Sequence, residues 1–341
     1  MDRGNVRGWA GWGFALGLAV LVAGGCAKKA GQTGPGPATP SPAKAKIRIG
    51  LVTNGRSEFW HAMEVGMKDA ADKLGVDASW QGPDPATIEN QREMIENYKN
   101  QGVKLIGISP IDPNSMGPEI DSLIDEGMSV ITFDSDAANS KRLVYIGTNN
   151  YKAGRVAGEE AKKIFSKGSI LVAFVGNIDA QNAKDRLQGF RDATSGFITV
   201  RRVYEDNKDQ TKAKQNAEDA LRSEKGLAGF LGLYSYNGHA IAAAVEEAGA
   251  KDKYKIVCFD AELKTQEAIE KGLISATVVQ KPYMFGYLSV AVLHDMAAIG
   301  VDNTLMMLPP DRIIDTGVEV VNQENIKEFR QRLKRWGVTS S

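Results

Sequence analysis

From Ile47 to Gln280 the chain alternates short, β-branched apolar runs with stretches of helical period. "IRIGLVT" (47–53), "VKLIGIS" (103–109), "MSVITFD" (128–134) and "LVYIG" (143–147) read as strands. "EFWHAMEVGMKDAADKLG" (58–75) reads as a helix: Met63, Met67, Ala70, Ala71 and Leu74 recur at i, i+3 and i+4 spacing, and Gly75 supplies the stop. After a helical "NNYKAGRVAGEEAKKIF" (149–165) the rhythm restarts with "SILVAFVG" (169–176), "ITVRRVY" (198–204), "LAGFLGLY" (227–234), "YKIVCFD" (254–260) and "ISATVVQ" (274–280). Short strands separated by helices imply parallel sheets with helices on both faces. Two successive sets imply an α/β chain of two doubly wound parallel-sheet lobes.

In open α/β sheets, ligands bind beyond the carboxyl ends of the strands. Those ends carry Ser109 and Asp112, Asp134, Asn177 and Asp179, Tyr234 to Asn237, and Asp260. The first strand is followed by "TNGRSEFW" (53–60), whose adjacent aromatics are either core or a surface for something flat. Because Phe59 and Trp60 open the first helix just past a strand end, a platform facing a cleft is favoured, with Thr53 and Ser57 as polar neighbours.

The ends of the chain bear on location. Arg3 and Arg7 precede an uncharged run from Trp9 to Ala23, then Gly24, Gly25 and Cys26. A basic stretch, an apolar stretch short for a bilayer span and small residues before a cut site describe an export signal over residues 1–25. Cys26 after small residues is similar to a lipoprotein lipidation site, although Ala23 stands where Leu is commoner. A non-lipidated signal peptide and an uncleaved anchor are the alternatives. Residues 26–45, rich in Gly, Pro, Ala and Lys, have almost nothing to bury and read as a flexible tether to a lipid-anchored Cys26. The only other cysteine, Cys258, lies in an apolar strand and reads as a buried thiol. The basic tail "NIKEFRQRLKRWGVTSS" (325–341) reads as a final helix with a frayed end.

Forty-two Lys and Arg balance forty-two Asp and Glu, so no basic excess points to nucleic acid. His61, His239 and His294 are isolated, without metal-ligand spacing, and read as structural; no metal and no cofactor is expected. No nucleophile elbow, phosphate loop or zinc motif occurs, which argues against an enzyme.

The ordered set "LVTNGRSEFW", "VITFDSDA", "YIGTNNYKAGRVAGEE", "NAKDRLQGF", "IVCFD" and "ISATVVQKPYMFGY" resembles bacterial periplasmic sugar-binding proteins of the ribose-binding type, type I substrate-binding proteins of ABC importers. The resemblance covers Lys46 to about Thr316. It implies an N-terminal lobe of 46–148 plus 281–311 and a C-terminal lobe of 149–280 plus 312–341, with hinges near Thr148–Asn149, Gln280–Lys281 and Asp311–Thr316. It further implies a monomer at the periplasmic or extracytoplasmic membrane surface, held there by its lipid anchor and passing a monosaccharide or similar polyhydroxylated ligand to a membrane permease. By the same resemblance Thr53, Ser57, Phe59 and Trp60 bond to and stack on the sugar. Asp134 and Asp260 accept from hydroxyls, Arg186 donates, and Gln280 contributes from the hinge side. The resemblance also marks departures: Ser135 stands where Arg is common in ribose binders, Tyr236 and then Asn237 occupy the usual polar position of "LYSYNG", and Lys208 stands where an aromatic is common.

These residue types suit a saccharide. Carboxylates accept from paired hydroxyls, Arg or Asn donates to oxygens, and aromatics cover C–H faces while excluding water. Each has a plainer alternative: Asp134 and Asp260 as helix caps, Arg186 as a surface ion-pair member, Phe59 and Trp60 as core. Three other functions compete. A glycosidase would use the two aspartates as acid and base. A transcription regulator would need a DNA-binding segment where the tether stands. A receptor could instead feed a membrane sensor.

Overall fold

A computed structural model describes residues 46–340. The chain builds β1 (Arg48–Val52), α1 (Phe59–Leu74), β2 (Asp77–Gln81), α2 (Ile88–Asn100), β3 (Leu105–Ile108), α3 (Pro113–Asp125), β4 (Ser129–Phe133) and β5 (Tyr145–Gly147). It crosses to a second lobe for α4 (Asn150–Ile164), β6 (Ser169–Val175), α5 (Gln181–Ala193), β7 (Ile198–Glu205), α6 (Gln210–Ser223), β8 (Gly229–Gly232), α7 (Asn237–Glu247), β9 (Lys255–Phe259), α8 (Leu263–Glu270) and β10 (Ala276–Val279). It returns for α9 (Pro282–Ile299), α10 (Val301–Met306) and β11 (Ile313–Asp315), then crosses a third time into β12 (Glu319–Val321) and α11 (Ile326–Arg335).

The two sheets repeat one plan. Their strand orders are β11-β5-β4-β3-β1-β2 and β12-β10-β9-β8-β6-β7, so β1 corresponds to β6, β4 to β9 and β5 to β10. Within the first sheet all pairs are parallel. The second departs from the expected all-parallel sheet at its edge, where β12 runs antiparallel to β10. β11 pairs with β5 in the first sheet. The third crossing therefore falls after Asp315, not after Asp311, because Ile313 to Asp315 complete the first lobe's edge.

Equivalent helix pairs cover equivalent sheet faces, and glycine sets their distance. A Cβ at Gly66 of α1 would fall 2.0 Å from the Tyr283 carbonyl oxygen, and one at Gly286 of α9 equally close to that of Met63. In the second lobe, a Cβ at Gly154 of α4 would meet the Arg186 oxygen at 2.1 Å, and one at Gly189 of α5 the Tyr151 oxygen at 2.1 Å. Backbones so close leave room only for hydrogen at those positions. This packing fixes the first turn of α1 and the first half of α5 over the strand ends. Helix α9 carries no clear sequence signal of its own, because it is apolar on most sides and packs between α1 and the first sheet. Among the described residues, no helix is long and apolar enough to cross a membrane.

Cys258 is fully buried in β9, and burial pushes its thiol up to about 12. The tail past α11 differs from the expectation of a frayed end: Val338 and Ser340 are buried.

Candidate functional site

The carboxyl ends of both sheets face one cleft of about 350 Å³ between the lobes. Asp134 and Asp260 enter it from equivalent positions, directly after β4 and β9. Both take left-handed backbone, with φ of 59° and 62°, a conformation Asp tolerates better than most residues. In each the main-chain carbonyl is held by a hydroxyl: Tyr145 Oη donates to Asp134 O at 2.8 Å and Thr277 Oγ1 to Asp260 O at 2.6 Å. That combination turns both side chains off the strand line and into the cleft. Neither carboxylate caps a helix.

The surroundings of the two acids differ. Asp134 Oδ2 accepts from Ser109 Oγ (3.1 Å), Asn54 Nδ2 (3.3 Å) and Ser135 Oγ (3.4 Å). No described residue donates to its Oδ1. Burial raises its pKa to about 6, against the pull of Arg186 and the hydroxyl of Ser109. Asp260 accepts from Gln280 Nε2 at 3.1 and 3.3 Å and lies 3.9 Å from Arg186 Nη1. Burial raises this carboxyl as well, while Arg186 and Gln280 oppose it.

Arg186 is 3% exposed, so it is not a surface ion-pair member. Its Nε donates to Asn150 Oδ1 and its Nη1 to the Leu233 carbonyl, both at 2.8 Å, and its Cζ lies 4.7 Å from the Phe259 ring centroid. These contacts hold the guanidinium rigid and leave Nη2 without a described acceptor. Phe59 and Trp60 line the cleft and are also part of the first lobe's core: Trp60 packs edge-on against Phe133 at 5.9 Å and Phe59 against Phe285 at 6.4 Å. Core and platform are one structure here, since the pair closes the top of the core and forms a wall of the cleft.

Ser57, Ser135, Gln280 and Tyr236 border the same cavity, but the Tyr236 hydroxyl is already engaged, donating to Asp206 at 2.6 Å. Two expected residues are not brought to it. Thr53 is buried, and its Oγ1 donates to Gly55 O at 2.7 Å, shaping the loop from within. Asn237 is buried too; its Nδ2 donates to Asp206 at 3.0 Å and its Oδ1 accepts from the Tyr234 N–H at 2.9 Å. Both scaffold loops that border the cleft.

The cavity also contains residues that the sequence did not single out as contacts: Asn54, Asn182, Tyr234, Ser235 and Glu262, together with Asn177 and Lys208. Asn177, Tyr234 and Ser235 already stand among the strand-end residues, and a wider reading of the same rule would have included Asn54. Glu262 had no signal; it accepts from Ser235 Oγ at 2.6 Å, and burial with Asp260 nearby raises its pKa. Lys208 comes from a turn with two successive left-handed residues, Asn207 (φ 56°) and Lys208 (φ 65°), pinned where the Lys208 N–H donates to Asp206 Oδ1 at 2.9 Å. Burial pulls the Lys208 ammonium below its usual pKa while Asp134 holds it up. Behind the loops, Gln91 of α2 donates to the carbonyls of Thr53 (2.9 Å) and Ser109 (2.8 Å), tying two strand ends together from inside. Of the histidines, His239 is held neutral, with burial lowering it to about 4. Among the described residues, no group of three His, Cys, Asp or Glu is placed to hold a metal ion.

Two doubly wound lobes, three crossings and a polar cleft between facing strand ends define a hinged, two-lobed binding protein. The chain belongs to the periplasmic binding protein family: the family model described as "Periplasmic binding protein domain" matches residues 49–300. It is 23% identical over 258 residues to the ribose import binding protein RbsB of Salmonella typhimurium, covering 73% of this chain and 84% of that protein. Among solved structures it is similar to GanP, a glucose-galactose binding protein from Geobacillus stearothermophilus (27% identity, TM-score 0.74, 83% of this chain and 99% of that one). It is also similar to a solute-binding protein of Burkholderia graminis in complex with D-arabinose (28% identity, TM-score 0.76, 83% and 98%).

Proposed function

We propose that this protein is an extracytoplasmic receptor that encloses a small sugar or related polyol between its lobes and delivers it to an ABC importer. The observation that carries the proposal is the composition of the cleft. Two buried, equivalent aspartates and a fixed guanidinium line a cavity walled on one side by Phe59 and Trp60. Acceptors and donors suited to hydroxyls beside an apolar wall match a ring with polar edges and C–H faces. The volume lies at the small end of ligand pockets, as a monosaccharide requires. Its relatives named for ribose and glucose-galactose support the ligand class. Contact is assigned to Asn54, Ser57, Phe59, Trp60, Asp134, Ser135, Arg186, Asp260 and Gln280, with Lys208 from the opposite loop.

Enclosure proceeds by hinge closure about the crossings at Thr148–Asn149, Gln280–Lys281 and Thr316–Val318, the ligand shifting an equilibrium toward the closed form. The receptor works as a monomer without cofactor and turns nothing over. Cys26, outside the described residues, carries the lipid that anchors it.

A thermal-shift panel of monosaccharides and polyols tests the ligand class. A ligand at a hundredfold its Kd stabilises by about 2.7 kcal/mol, so at least one member is expected to raise the melting temperature by several degrees. A flat panel would sink the proposal. Candidate glycosides incubated with purified protein should return unchanged. The Cys26→Ser chain should leave the membrane fraction in which the parent chain is found.

A further inference from the structure

The tail beyond α11 touches both lobes. Trp336 stacks on Tyr283 of α9, ring centroids 4.8 Å apart and planes 14° from parallel, and Tyr283 Oη donates to Asp69 of α1 at 2.8 Å. Val338 joins Phe329 and Leu333 of α11 in a buried apolar cluster that also takes in Ala62 of α1. Ser340 is fully buried, and its Oγ donates at 3.0 Å to the carbonyl of Glu58, the residue before Phe59 and Trp60. On the second-lobe side, Gln266 Nε2 of α8 donates to Thr339 O at 2.6 Å and to Ala261 O at 2.7 Å, and Ala261 follows Asp260. Arg330 of α11 holds this glutamine from behind, its Nε donating to Oε1 at 3.1 Å.

Through Ser340 and Gln266 one short segment therefore bonds, within a few residues, to the backbone at the aromatic pair of one lobe and at the second aspartate of the other. We propose that Trp336–Ser340 is an interlobe strap that positions these two ligand loops against each other and biases the cleft toward its closed arrangement. A strap of this kind makes closure partly prepaid before the ligand arrives, so its loss lowers affinity by raising the population of open protein. The inference builds on the proposed binding function, but its structural part stands without a ligand.

The test compares the parent chain with one ending at Gly337 and with Tyr283→Leu, which removes the stacking partner and leaves the cleft residues untouched. Small-angle scattering without ligand should show a larger radius of gyration for both variants. With the sugar that gives the largest thermal shift, stopped-flow and calorimetric titrations should show about tenfold weaker binding, carried mainly by faster release. Parent-like radius and affinity in both variants would overturn the strap. If the shortened chain shows no cooperative melt, Tyr283→Leu alone decides on the same two readouts. If no sugar binds the parent chain, the receptor reading fails while the scattering comparison still decides the strap.

Discussion

The two lobes place an aspartate at the same point of the same topology and then treat it differently. Asp134 is surrounded by neutral donors, with one carboxylate oxygen unengaged by any described residue; Asp260 lies beside a buried guanidinium and under Gln280. Burial raises both carboxyls and Arg186 opposes it at both, but only Asp260 has the guanidinium beside it, at 3.9 Å. Asp134 faces the cleft at the expense of the empty protein. Asp260 serves the cleft and the second lobe together.

The strongest way to break this comparison is to remove each charge. Asp134 rises from 3.8 to about 6 on folding. The folded state holds its proton longer, so the relative stability present below about pH 4 is lost as pH rises through 6. The difference amounts to about 3 kcal/mol by pH 7. Asp134→Asn is therefore expected to raise the melting temperature of the ligand-free protein at pH 7 and to abolish the sugar-induced shift. Asp260→Asn removes a carboxyl that burial likewise raises but also leaves Arg186 without its nearest carboxylate, so it is expected to stabilise the empty protein less than Asp134→Asn does. Equal stabilisation by the two variants in a calorimetric melt would remove the distinction.

Helix packing offers a smaller effect and tests the equivalence of the lobes. Gly66→Ala and Gly189→Ala each press a methyl onto a carbonyl oxygen and should cost about 1–3 kcal/mol in denaturant melts. Tolerance of one and not the other would show that the pairs α1–α9 and α4–α5 are not equivalent. Both are expected to weaken sugar binding, since Gly66→Ala displaces the helix that opens with Phe59 and Trp60 and Gly189→Ala the helix that carries Arg186.

The pH dependence of affinity is next. A ligand whose hydroxyls donate to ionised Asp134 competes with its proton, so Kd should be flat above pH 7 and weaken up to about tenfold per unit below about 6. A profile flat to pH 5 would assign recognition to Asp260 alone. The smallest effect is expected of Lys208→Met, about fivefold in Kd by calorimetry, on the reasoning that one hydrogen bond worth about 1 kcal/mol is lost; an unchanged Kd would leave the Lys208 ammonium a bystander.

Much of this architecture is legible in the chain. A period of two giving way to a period near 3.6 and back again is local information, so strands, helices and the doubling into two lobes follow from it. The positions of Asp134, Asp260 and the Phe59–Trp60 pair follow as well, because strand ends are marked in the sequence. Tertiary structure decided what no period encodes. Thr53 and Asn237 look like ligand contacts by position yet turn inward, since their loops need internal hydrogen bonds. Glu262 and Lys208 reach the cleft only because their turns are pinned by Ser235 and Asp206. The apolar faces of α9, and the burial of a tail that reads as frayed, depend on surfaces supplied by residues hundreds of positions away, as Ser340 meeting Glu58 illustrates. Local pattern determined the elements and their order; the direction of each loop side chain, and with it the balance of charge in the cleft, was settled only when the two lobes met.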